Sequence, residues 1–74
     1  MNYEEIREEA ISKFVTYTLL CTRAYDLVQK QTHGSYRYHK AWKMAEYFRG
    51  QQRAYGYCIH TIDLRIKAQR ERIL

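Results

Sequence analysis

The eight residues from Arg53 to His60, RAYGYCIH, fit two incompatible backbones. As a strand they place Tyr55, Tyr57 and Ile59 on one face, because side chains alternate with a period of two. As a helix they separate Tyr55 and Ile59 from Arg53, Tyr57 and His60, because residues three and four apart are the neighbours. The flanking sequence decides between them. Ala41, Ala45, Phe48, Gln52, Tyr55, Ile59, Ile62, Ile66, Gln69 and Ile73 follow alternating steps of four and three without a slip, which is the heptad seam of one long helix. The strand alternation is local, whereas the helical register runs through it on both sides, so a helix is expected over about residues 36–73.

Working upstream, QTHGSY is the one convincing break. Gly34 can take the left-handed conformation that ends a helix, and Ser35 can cap the next one, so the turn is expected at about 33–35. Before it, about residues 3–32 read as a first helix. Asn2 is its expected cap with Glu5 as the capping-box partner, and Glu4, Glu5, Glu8 and Glu9 suit the positive end of the helix dipole. Its apolar stripe is Tyr3, Ile6, Ala10, Phe14, Tyr17, Leu20, Cys21, Ala24, Leu27 and Val28. The expected fold is all-α: a long two-helix antiparallel hairpin forming a single domain, 1–74. Gly50 offers an alternative, since glycine inside a helix costs about 1 kcal/mol relative to alanine. A break there would make a three-helix bundle. The seam keeps its phase from Phe48 through Gln52 to Tyr55, which favours one continuous helix. Gly56 lies off the seam and suits close approach by a neighbouring backbone.

A hairpin turning near Gly34 sets opposite one another residues whose numbers add to roughly 68. That register keeps Cys21 and Cys58 on the order of 15 Å apart along the rod, too far for an intrachain disulfide. At 74 residues a single core rarely supplies more than about 3–5 kcal/mol of net stability. Two helices share only one seam, and Ile11, Val15 and Leu19 form a further apolar row away from it. Association into a homodimeric four-helix bundle through that row is therefore expected.

Charge is distributed unevenly. Residues 1–30 carry four bases against five acids, and residues 31–74 carry nine against three. Arg65, Lys67, Arg70 and Arg72 suit the negative end of a helix dipole beside the acidic start of the first helix. The remaining row on the second helix is Trp42, Glu46, Arg49, Arg53, Tyr57, His60, Leu64 and Lys67. Arginine and large aromatics are the side chains that carry protein interfaces and that stack on bases or pair with phosphates. Of these, Trp42, Arg49, Arg53, Tyr57, His60, Leu64 and Lys67 are the expected partner-binding residues, for a protein in preference to a nucleic acid.

Other chemistries lack their residues. RAYGYCIH matches the base-stacking strand of RNA-recognition domains at Arg53, Tyr55, Gly56 and Tyr57, but has Ala54, Cys58 and His60 where glycine, valine and an aromatic belong. His33, His39 and His60 are scattered, and there is no Cys-x-x-Cys or His-x-x-x-His, so no metal or other cofactor is expected. Cys58 and His60 point apart on a helix, and no glycine-rich phosphate loop occurs. The expected protein is non-catalytic, with no small-molecule substrate: an adaptor, inhibitor or regulator of a protein partner, with a nucleic-acid-binding helical oligomer using the basic second helix as the alternative and a purely structural oligomer as a further one. Helices of 30 and 38 residues do not fit a helix-turn-helix domain. With mean hydropathy of −0.70, no membrane-length apolar run and an acidic start, MNYEEIREE, the chain is expected to be cytoplasmic.

Overall fold

The computed structural model describes residues 2–73, with side chains through residue 72. Two helices, α1 (Tyr3–Lys30) and α2 (Tyr36–Ile73), pack as an antiparallel hairpin. The rod measures 59 × 15 × 15 Å, close to the ~57 Å length of a 38-residue helix at 1.5 Å per residue. α2 runs unbroken through Gly50 and Gly56, so the three-helix alternative is excluded.

Each end of α1 is closed by local bonds. Asn2 Oδ1 accepts from the Glu5 N–H at 2.9 Å, satisfying one of the donors that a helix start leaves without an intrahelical partner. At the other end Gln31 is extended, and its N–H donates to the Val28 carbonyl at 3.3 Å. α1 therefore stops at Lys30, two residues before the expected end. The reason lies in the turn: Ser35 N–H donates to the Thr32 carbonyl at 3.1 Å, and Gly34 has φ 81°. A type II turn requires a positive φ at its third residue, so Thr32 is committed to the turn. Ser35 Oγ then accepts from the Tyr38 N–H at 3.2 Å and caps α2.

The register follows the expected antiparallel pairing. Arg7 pairs with Asp63, Phe14 meets Gly56 and Thr18 bonds Gln52, and each of these pairs adds to 70. The core between the helices is small. Ala10, Cys21, Ala24, Val28, Ala41, Ala45 and Ile62 are buried, and Ala45 is wholly inaccessible. Four of the seven are alanines, which lets the backbones approach closely and leaves the larger side chains along the edges of the seam. Tyr17 sits at such an edge, stacked on Tyr55 with ring centroids 5.7 Å apart and tilted toward Phe48 at 6.2 Å. Gln52 occupies a seam position because its side-chain amide donates to Thr18 Oγ1 at 2.8 Å; the Thr18 hydroxyl in turn donates to the Phe14 carbonyl. A polar group in a seam is tolerable when its hydrogen bonds are made.

Three sequence expectations are corrected here. Leu27 is exposed, and so is Gln69, near the end of the seam; the side chain of Ile73 lies outside the described residues. Gly56 faces a ring and not a backbone: a methyl group there would meet Phe14 Cε2 at 3.4 Å, an ordinary van der Waals contact. Both cysteines are free, as the hairpin register requires. Cys21 is buried with its thiol directed at the Ala45 carbonyl, 3.8 Å away, and Cys58 is half-buried.

Candidate functional site

Two helices in contact leave two long grooves, one on each side of the seam. Tyr25 and Trp42 meet edge to face across one of them, with centroids 5.6 Å apart, and this contact identifies which residues share that flank. On α1, Ile11 and Thr18 precede Tyr25 at intervals of seven; on α2, Arg49, Gly56 and Asp63 follow Trp42 at the same interval. Residues seven apart lie on one edge of a helix in a heptad register. Ile11 and its neighbour Val15 thus border the same groove as Arg49, Arg53, Gly56 and His60. The sequence treated these as two separate surfaces, one for a second copy and one for a partner. In the fold they form one continuous flank.

The predicted site residues do not contribute equally to it. Arg49, Arg53, Tyr57, His60, Leu64 and Lys67 are exposed, Tyr57 at 76%. Arg53, Tyr57 and His60 surround a shallow hollow over Gly56, where the missing side chain leaves three long neighbours around a gap. Trp42 is half-buried and helps hold the two helices together. Ile11 is half-buried, Val15 is exposed, and Leu19 is exposed on the outer surface of α1. Acids alternate with bases along this flank: Glu4, Glu8, Glu46 and Asp63 against Arg49, Arg53, Lys67 and Arg70. At the open end of the rod, Glu4, Arg7, Glu8, Asp63, Lys67 and Arg70 line one hollow. Among the described residues the one ion pair is Arg7–Asp63, where the Arg7 Nε–H donates to Asp63 Oδ1. The hydrogen bond, and then the opposite charge, raise the Arg7 pKa above its ordinary value.

The opposite flank was not singled out by the sequence reading. Leu20 and Leu27 on α1, and Met44, Gln51 and Cys58 on α2, occupy its edges at intervals of seven. Leu27 and Met44 stand at the same level of the rod and are 46% and 42% exposed; Tyr47, one turn further along α2, is 58% exposed. The stripe counted on α1 contained both Leu27 and Val28, but adjacent helical residues diverge by about 100°. Val28 takes the core and turns Leu27 outward. The seven-residue repeat of Leu20 and Leu27 was the available signal.

Among the described residues no cluster of three or more histidines, cysteines or acids could hold a metal ion, and no helix is long and apolar enough to cross a membrane. Compared with known proteins, the chain matches no family model, no curated protein and no solved structure.

Proposed function

We propose that this protein is a small non-catalytic binding module that acts as an adaptor, inhibitor or regulator by docking a protein partner on the Tyr25–Trp42 flank. Arg53, Tyr57 and His60 on α2, with Ile11 and Val15 across the groove, form the centre of that surface. The observation that carries the reading is Tyr57, a large aromatic exposed between two basic or titratable side chains over a glycine gap. Arginine and tyrosine in such a setting are the residues most often responsible for interface affinity. The alternating acids favour a protein over a nucleic acid, because Glu46 and Asp63 would face phosphates with like charge.

The accessible area supports coverage by a second molecule. The chain exposes 6145 Å², whereas a compact monomer of its 9.1 kDa is expected to expose about 4,900 Å². The excess exceeds the roughly 800 Å² that each partner buries in a standard interface. This also favours a second reading, in which another copy covers Ile11 and Val15 in a homodimeric four-helix bundle. Because these residues share a flank with Arg53, a homodimer of that kind would compete with the partner for one surface.

Affinity capture from the source cell, with and without nuclease, tests the proposal when run beside Arg53→Ala and Tyr57→Ala. The expected result is a specific protein retained by the natural chain after nuclease and lost by both variants at unchanged helicity. Retention by both variants would reject the flank, and nuclease-sensitive retention would transfer the function to nucleic acid. Sedimentation equilibrium of the natural chain and of Val15→Lys reads the dimer: a mass that halves supports it, and a monomeric natural chain rules it out.

A further inference from the structure

We infer that the flank opposite Tyr25–Trp42 is a second, independent docking surface, shaped for an acidic amphipathic helix that packs against Leu27, Met44 and Tyr47 between Arg23, Lys30 and Lys40. The apolar floor is short and lies at the closed half of the rod. Leu20 and Leu27 line its α1 wall over roughly 10 Å, two turns of helix. Met44 and Tyr47 line the α2 wall at the same levels. Neither Leu27 nor Met44 is buried, because the alanine-lined seam brings the backbones together and pushes larger side chains to its edges.

The rim selects the occupant. Arg23 and Lys30 are seven apart on the outer edge of the α1 wall. Lys40 lies seven residues before Tyr47 on the outer edge of the α2 wall, and Arg37 precedes Met44 by the same interval. All four are exposed, and none is in an ion pair among the described residues. The nearest acids in sequence, Asp26 and Glu46, project elsewhere: Asp26 outward from the back of α1 and Glu46 toward the opposite flank. A groove with apolar walls and cations along both margins complements a helix with apolar residues at steps of three and four and carboxylates beside them. This is the same rule by which flanking charges choose coiled-coil partners.

Other occupants fit less well. A second copy would bring the same cations against these, since this flank carries one acid, Glu9, among Arg23, Lys30, Arg37, Lys40 and Arg65. A lipid surface is flat, whereas Leu27 and Met44 stand exposed on the facing edges of two helices, a two-sided arrangement that suits a narrow element. Phosphates gain nothing from those walls.

Fluorescence anisotropy with a synthetic helical peptide of about three heptads, leucine at the a and d positions and glutamate at e and g, provides the test. Its lysine-substituted counterpart, phosphatidylserine vesicles and single-stranded RNA serve as competing probes. Saturable binding of the glutamate peptide alone is expected, weakening as salt rises. Lys30→Glu with Lys40→Glu, both at exposed positions that leave the fold intact, should lower affinity by on the order of tenfold. Leu27→Asp should abolish binding, while Arg53→Ala with Tyr57→Ala should leave it unchanged. Equal binding of both peptides, indifference to the Lys30 and Lys40 reversals, or preferential binding of vesicles or RNA would each overturn the inference.

Discussion

Gly50 lies in the middle of α2, exposed, with a negative φ, and a methyl group added there would have no heavy atom within 4 Å beyond its own helix. Gly50→Ala therefore changes the backbone preference and almost nothing else. Alanine favours the helix interior over glycine by about 1 kcal/mol, partly by narrowing the unfolded ensemble. In a domain of this size that corresponds to a rise in Tm of roughly 4–8 °C. The melt is followed by far-UV circular dichroism at one matched protein concentration, since self-association would itself shift Tm. Gly56→Ala makes the same backbone change where its methyl meets Phe14 Cε2 at 3.4 Å, an ordinary van der Waals contact, so its Tm should rise as well. A lowered Tm for Gly50→Ala would refute the reasoning. It would mean that residue 50 needs a conformation closed to alanine, as at a break between two shorter helices.

Gly34→Ala should act in the opposite direction, losing about 1–2 kcal/mol because residue 34 has φ 81°, in the region that L-residues avoid; an unchanged Tm would contradict the turn. Ala45→Leu places a larger side chain at the wholly inaccessible centre of the seam and should cost about 1–3 kcal/mol by urea denaturation, with a neutral result indicating that the helices are not in close contact there. The thiols should react unequally with maleimide, half-buried Cys58 first and buried Cys21 only on unfolding. Equal rates, or an intrachain disulfide in the mass spectrum, would be inconsistent with the hairpin register.

Legibility of the sequence differed between the seam and its flanks. Ala41, Ala45, Tyr55, Ile59, Ile62 and Ile66 were identifiable as a helical seam because the period of 3.5 persists far longer than any strand alternation, and all six are buried or half-buried. Asn2 and Ser35 were legible as caps because their side chains act within their own first turn. Gly34 was legible as a breaker for the same local reason. Leu27 was misassigned because counting steps of three and four admits both members of an adjacent pair, and only packing selects one.

The sequence by itself determined what depends on neighbours along the chain: two helices, the turn between them, the antiparallel register and the uneven charge. The tertiary structure decided how those faces are shared out. Alanines at the centre draw the helices together, which sends Leu27 and Met44 to one groove and joins Ile11 and Val15 to Arg53 and His60 across the other. That division depends on which edge of α1 meets which edge of α2. The Tyr25–Trp42 contact expresses it in space, and no periodicity within a single helix contains it.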